Sequence, residues 1–230
     1  MTIGILCAGD DELEPFLSHI EGREESKKAL LTVHSGKIGS ADVRALYSGV
    51  CRVNAAIAAQ VLIDSFGADI IINSGTAGGI DGSLEIFDTV VTTESAYHDV
   101  SPDILTDFHP WLGSEFFRSD ERLVELSKIA AKKLSPRRIF WGRTMTGESF
   151  ITDKGRKELI DRYAPLSVDM ETAGVAQVCH AFGVPFISIR TITDTEKQSG
   201  AGNFEKNCKT ASGLSAELTL ALISELCADK

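Results

Sequence analysis

The chain has 230 residues, 43% of them hydrophobic and 24% charged, enough to bury a core without disulfide or metal staples. Its formal net charge of −10 argues against a nucleic-acid or anionic-membrane surface, since both require clustered Lys and Arg. Five cysteines (Cys7, Cys51, Cys179, Cys208 and Cys227), with no CxxC spacing, argue against a disulfide framework or zinc site and fit a reducing cytoplasm.

The N-terminus shows no basic segment followed by a long apolar run, and no apolar run approaches the ~20 residues of a membrane span. "TIGILCAG" reads as a buried strand ending at a glycine. "DELEPFLSHI" has helical spacing, with Asp10 or Asp11 as its cap. "ALLTVHSGKIGSADVRALYSG" reads as a two-stranded hairpin turning within Gly36 to Ser40, and "RVNAAIAAQVLIDSFG" as an Ala-rich helix closed by Gly67. "ADIIINSGTAGGI" reads as a strand followed by a glycine-rich exit loop, and "FDTVVTTESAYHD" as another strand. Val100 to Ser119 is irregular, with aromatics and two prolines. "DERLVELSKIAAKKL" is an amphipathic helix, "RRIFWGRTMTGESFI" a strand and "DKGRKELIDRY" a helix. In "PLSVDMETAGVAQVCHAFGVPFISIRTITDTE" two apolar runs, Leu166 to Val168 and Val184 to Ile192, each lead into carboxylates, with a helix of small residues between. "NCKTASGLSAELTLALISEL" closes the chain as a long helix.

Apolar strands alternating with helices predict one α/β domain over residues 1–230, built on a mixed, largely parallel central sheet flanked by helices. In such sheets ligands bind beyond the carboxyl ends of strands. "GDDE", "SGTAGG", "YHD", "TGESF", "DME" and "TDTE" all fall at such exits, which predicts one pocket fed by six of them.

Several residues there suit chemistry, each with a plainer alternative. Asp194 ends an apolar run, where burial raises a carboxyl's pKa and makes it a proton donor; the alternative is a turn cap between Thr193 and Thr195. Glu171 suits a vicinal diol, or simply the first turn of a helix. Glu12 suits a base that activates water, or a solvated helix start. Phe150 offers a stacking face, though core phenylalanines are commoner. The five histidines show no metal-ligand spacing, and no nucleophile elbow is present; His98, between Tyr97 and Asp99, is the one histidine placed near the exits.

The order of "IGILCAGDDELEPF", "SGTAGGI", "AYHDV", "TGESFI", "SVDMETAGVAQVC" and "FISIRTITDT" resembles the purine nucleoside phosphorylase and nucleosidase superfamily over nearly the whole chain. The resemblance is strongest to its bacterial methylthioadenosine / S-adenosylhomocysteine nucleosidases, and the Met-Glu pair and the strand ending in Asp are its specific parts. It implies hydrolysis of the adenine–ribose bond through an oxocarbenium-like transition state, with no metal or organic cofactor. It further implies that Asp194 protonates adenine N7, that Glu12 positions and deprotonates water, and that Glu171 holds the ribose hydroxyls. Met170 would pack beneath the sugar, Phe150 would stack on adenine and the Ile151 backbone would bind its edge. Arg190 and Thr76 would complete the surroundings of Glu12. The resemblance also implies a homodimer, with the loop after "YHD" reaching the neighbour's pocket.

The same superfamily contains phosphate-using phosphorylases. Phosphate needs arginine forks, and those of this fold stand after the first strand and before the glycine-rich loop. Here "AGDDELE" and "INSGTAGG" are acidic or neutral; Arg52, at a helix start, is the nearest remaining candidate. A nucleoside-binding protein without catalysis is the reading outside enzymology, opposed by the joint presence of Glu12, Glu171 and Asp194. Gly9, Thr76 and Asp169 depart from the commonest nucleosidase pattern, with methionine, serine and glutamate frequent at those places. Gly9 bears on the pocket for the ribose 5′ substituent.

Overall fold

A computed structural model describes the chain except for residues 110, 152, 199, 200 and 230. Strand β1 (Thr2–Cys7) is apolar throughout and buried on both faces, as its uninterrupted run requires. It leads into helix α1 (Asp10–Leu17), whose cap is Gly9; the aspartates expected there instead form the first turn. A three-stranded extension follows: β2 (Glu21–Lys28), β3 (Leu31–Ile38) and β4 (Ala41–Tyr47). β2 escapes sequence reading because every residue in it is exposed, so no alternation marks it; its backbone pairing with β3 defines it.

Helix α2 (Arg52–Gln60) continues as a π-turn over Val61–Ser65, ahead of Gly67 at φ +64°. Strands β5 (Ile70–Gly79) and β6 (Thr89–Tyr97) come next. The segment expected to be irregular holds a short helix, α3 (Pro102–Asp107), and a two-residue strand, β7 (Phe117–Arg118); one of its two prolines, at 110, lies outside the described residues. Then follow α4 (Glu121–Lys132), β8 (Ile139–Thr146), α5 (Asp153–Tyr163), β9 (Ser167–Asp169), α6 (Thr172–Phe182), β10 (Phe186–Asp194) and α7 (Ala201–Ala228).

The sheet runs β10-β6-β8-β9-β5-β1-β4-β3-β2, and an added β10–β5 pairing closes β5, β10, β6, β8 and β9 into a ring. Parallel pairs (β1–β4, β1–β5, β10–β5, β6–β8, β8–β9) mix with antiparallel ones (β10–β6, β5–β9, β3–β4, β2–β3, β6–β7). The glycine-rich segment expected as an exit loop belongs to β5, with β10 beside it as far as Gly78. One edge of β5 takes β1 along Ile70 to Asn73 and β9 along Gly78 and Gly79. Between those two partners the edge is free, and the site is built there.

Apolar layers cover both sides of the sheet. One joins β1, β4, β5 and β10 to α1, α4 and α7 through Ile5, Phe16, Ile72, Leu123, Ile189, Leu222 and Ile223. The other packs α2 and α6 through Leu46, Ala58, Leu62, Ile71, Ala173 and Val175. Small residues on α6 permit close approach: a Cβ on Gly174 would stand 3.0 Å from the Cβ and carbonyl of Arg52. Within α7, Gly202–Ala228 is long and apolar enough to cross a membrane (mean hydropathy 1.3), which reading the sequence for apolar runs did not register. It packs on β10, β5, α4 and α1 and buries Ala211, Ser215, Leu218, Leu222 and Ile223, as a core helix does.

Candidate active site

A cavity of about 520 Å³ opens where these elements meet, within the range of small-molecule sites. Five of the six expected exits line it: Ala8 to Glu12 after β1, Thr76 to Gly78 within β5, Ser149 to Ile151 after β8, Val168 to Glu171 at the end of β9, and Thr193 with Asp194 at the end of β10. The "YHD" exit does not. His98 packs its ring onto Gly147, where any Cβ would fall 2.1 Å from its Nε2, and burial lowers its pKa. It is a neutral ring behind the wall.

Glu12 is 5% exposed, which separates it from its exposed acidic neighbours and excludes the solvated helix start. Its Oε1 accepts from the Thr76 backbone N–H (2.8 Å) and hydroxyl (2.9 Å). Its Oε2 accepts from Ala8 N–H at 2.7 Å and, loosely, Gly9 N–H at 3.4 Å. The Thr76 N–H is the donor left free by the gap in the β5 edge. Four donors hold the carboxylate in place, and the long Gly9 bond is the one that a water can replace. Gly75 makes this possible: a Cβ there would sit 2.5 Å from the Glu12 carboxyl carbon and oxygens.

Asp194, 9% exposed, lies against the other glycine pair; a Cβ on Gly78 would come within 3.3 Å of its Oδ2. Burial raises its pKa, opposed by the Thr193 hydroxyl bonded to Oδ1 (3.0 Å) and by the Arg156 charge. The Thr193 hydroxyl donates to Asp194, and Asp194 is the last residue of β10; the turn beyond is closed instead by Thr195 and Gln198 backbone.

Glu171 accepts from the Cys51 backbone N–H (2.9 Å) and faces Arg190 Nη2 at 3.4 Å. Burial pushes its pKa up to about 7; Arg190 opposes the rise, while Asp169 and Glu12 add to it. Arg190 is fully buried behind the lining. It donates to Asn73 Oδ1 (2.6 Å) and to the Thr76 carbonyl (3.2 Å), and its Nε lies 3.1 Å from Asp169 Oδ2 without hydrogen-bond alignment. Thr76 thus bonds Glu12 directly, and Arg190 stands in the charge neighbourhood of Glu12 but outside the cavity, with its hydrogen bonds to Asn73, the Thr76 carbonyl and Glu171. Asp169 is fixed by Thr146, Thr172 and Arg190, so it holds the turn that presents Met170 and Glu171.

Met170 and Ile151 line the cavity, half-buried. Phe150 is 56% exposed and meets Phe204 of α7 edge-to-face at 6.0 Å, so it is no core residue. Sequence reading missed Phe204 and Arg156. Arg156 is 5% exposed, lines the cavity, and donates through Nη1 to the Gly79 carbonyl (2.5 Å). A signal existed: Arg156 shares the buried face of α5 with Leu159 and Tyr163 at i+3 and i+7. Arg52, held for a possible anion site, is engaged at the rim by Asp99 (2.7 and 3.1 Å) and Glu148 (3.0 Å). Among the described residues, no group of His, Cys, Asp and Glu is arranged to hold a metal.

Residues 2–224 match the model of the phosphorylase superfamily. The chain is 34% identical to the 5′-methylthioadenosine/S-adenosylhomocysteine nucleosidase of Geobacillus sp. (strain WCH70), over 98% of this chain and 99% of that one. It superimposes on the Neisseria meningitidis enzyme of the same name, solved in complex with methylthio-immucillin-A, with a TM-score of 0.90 at 30% identity, covering 96% and 98% of the two chains. It also superimposes on a Helicobacter pylori protein described as a futalosine hydrolase, with a TM-score of 0.88 at 27% identity and 98% of each chain covered.

Proposed function

The chain belongs to the phosphorylase superfamily and, within it, to the 5′-methylthioadenosine/S-adenosylhomocysteine nucleosidases, and on that premise we propose that it hydrolyses the N-glycosidic bond of these two adenine nucleosides in the cytoplasm, as a step of methionine salvage. Phe150 stacks on adenine, with the Ile151 backbone at its edge. Glu171 accepts from the ribose hydroxyls above Met170. Asp194, protonated, gives its proton to N7. The C1′–N9 bond then breaks with its electron pair moving onto the base, and an oxocarbenium ion develops at C1′. Water held at Glu12 adds to C1′ and loses its proton to that carboxylate. Adenine and a 5-thio-substituted ribose leave. Burial favours the acid, because it raises the Asp194 pKa and so favours the protonated form.

The observation that carries hydrolysis over phosphorolysis is the setting of Glu12. An anion would have to enter beside a carboxylate already fixed by backbone donors of β1 and β5, in a cavity also lined by Asp10, Asp11, Glu171, Asp194 and Glu205. Arg52 and Arg190 are both spent on protein carboxylates. Arg156 alone among the arginines lines the cavity. Adenine release from methylthioadenosine, assayed in phosphate-free buffer and again with phosphate, tests this. Equal release with free methylthioribose is expected; release only with phosphate, as a sugar 1-phosphate, refutes it.

Gly9 lines the cavity and a side chain there would meet nothing within 4 Å. This favours a roomy 5′ subsite that admits S-adenosylhomocysteine and bulkier 5′ groups, which competition between substrates of graded 5′ size would rank. A homodimer is the assembly proposed. Val50, Val53 and Ile57 at α2 and Phe108 and Trp111 after α3 leave an apolar surface exposed, suited to a second copy. Light scattering at assay concentration checks the mass.

A further inference from the structure

Resting on the reading of Glu171 and Phe150 as ribose- and base-binding, we infer that Arg52 is a positioning residue that latches the two halves of the nucleoside site together. Its guanidinium grips both oxygens of Asp99, at 2.7 and 3.1 Å, and its Nε meets Glu148 Oε1 at 3.0 Å. Its own backbone N–H adds a bond to the same Glu148 oxygen (3.1 Å), and the Glu148 N–H returns to Asp99 Oδ2 (3.1 Å). The Tyr97 ring lies under the guanidinium at 5.2 Å. Three strand exits are thereby joined: those after β4, β6 and β8.

Two of the three joined loops lead to a binding group. On one side, Cys51 precedes Arg52 and gives its N–H to Glu171 Oε1 at 2.9 Å. To aim that N–H, Cys51 adopts φ +84° and ψ 152°, a conformation that a residue with a side chain holds only when its surroundings impose it. The Arg52 fork and the close packing of Gly174 on the Arg52 backbone are those surroundings. On the other side, Glu148 is followed by Ser149, Phe150 and Ile151, which line the cavity. The latch thus fixes the ribose acceptor and the base platform relative to each other. It touches neither Asp194 nor Glu12, so its loss weakens binding more than it slows bond cleavage.

Hydrogen exchange on the whole protein tests the latch without any ligand. Arg52→Gln is expected to speed exchange at Cys51 and at residues 148–151 together while the β5 amides stay protected; unchanged exchange at both loops overturns the inference. The kinetic consequence is a rise in KM of about tenfold, the loss of one charge-assisted hydrogen bond's worth of binding, with kcat changed far less. Arg52→Lys, which keeps the charge without the fork, falls between. Adding Cys51→Gly to Arg52→Gln recovers part of the KM, because glycine takes φ +84° unaided; no recovery overturns the Cys51 limb. If Arg52→Gln folds poorly, Asp99→Asn removes the same fork from the other end and is read identically. Loosened loops without any adenine release by the wild type would leave the latch standing and refute only the proposed substrate.

Discussion

Gly75→Ala separates the water-activating carboxylate from everything else in the site. The glycine lies within β5 at an ordinary negative or extended φ, so the backbone accepts alanine, and in a strand the exchange is neutral or slightly favourable through the unfolded chain. The nearest obstacle is Glu12, whose carboxyl carbon and both oxygens would stand 2.5 Å from the new Cβ, against 3.4 Å or more in ordinary contact. The carboxylate must withdraw by about 1 Å, which lengthens the 2.8 Å bond from Thr76 N–H beyond hydrogen-bond range. A misplacement of that size costs on the order of 10²-fold in rate. Since Glu12 handles water and not the nucleoside, the loss falls on kcat, with KM nearly unchanged. Steady-state adenine release and a thermal melt measure both halves of the prediction, with Gly82→Ala, where a Cβ meets nothing within 4 Å, as the control. A Gly75→Ala enzyme with wild-type kcat would show that the Glu12 position is immaterial to the reaction.

Asp194→Asn keeps the shape and removes the proton, so kcat falls by roughly 10²–10⁴-fold while free adenine still binds, as isothermal titration would show. Arg156→Met removes the charge that holds the Asp194 pKa down. Because the protonated acid is the working form, the alkaline limb of the kcat/KM–pH profile moves to higher pH; an unmoved limb would exclude Arg156 as its neighbour in effect. Glu171 has a folded pKa raised from 4.5 to about 7, so between those values the folded protein binds more protons than the unfolded chain. Stability is then fully present below about 4.5 and declines as pH rises through about 7. Glu171→Gln flattens this decline in melts taken across the window, Arg190 keeping Asp169 as its partner.

Much of the fold was legible because its central strands β1, β5 and β10 are buried on both faces and announce themselves as apolar runs bounded by glycine or carboxylate. β2 was not, since nothing in EGREESKK faces a core and only its partner β3 makes it a strand. The glycines of β5 were misassigned to a loop for a related reason: glycine signals conformational freedom, whereas here it signals absent volume, occupied by the Glu12 and Asp194 carboxylates. The acids at strand ends were legible one by one, and the cavity brings Glu12, Glu171 and Asp194 together with Met170, Phe150, Ile151 and Thr76. Their wiring was not legible. The bond from Cys51 to Glu171 spans 120 positions and that from Thr76 to Glu12 spans 64, and no local pattern encodes either. Arg190 could be placed in the neighbourhood of Glu12, but its bonds to Asn73, the Thr76 carbonyl and Glu171 could not, because sequence does not say on which side of a strand wall an arginine ends.

The free stretch on the β5 edge explains why a carboxylate stands at Glu12. A strand edge buried without a partner leaves backbone donors that must be satisfied. Between β1 and β9 the Thr76 N–H is such a donor, and Glu12 reaches it from the first turn of α1. The fold therefore needs an acceptor at this point, and a carboxylate that lines the cavity meets that need. Opposite it, β10 continues alongside β5 to Gly78 and delivers Asp194 into a setting where, among the described residues, the Thr193 hydroxyl is its donor and burial raises its pKa. Two carboxyl groups beside one strand thus stand in different settings, Glu12 held by four donors and Asp194 by the Thr193 hydroxyl among the described residues. Removing a donor should therefore loosen the base: Thr76→Val strips one of the two Oε1 donors from Glu12 and should lower kcat with KM nearly unchanged, and an unchanged kcat would mean that backbone N–H groups alone fix the base.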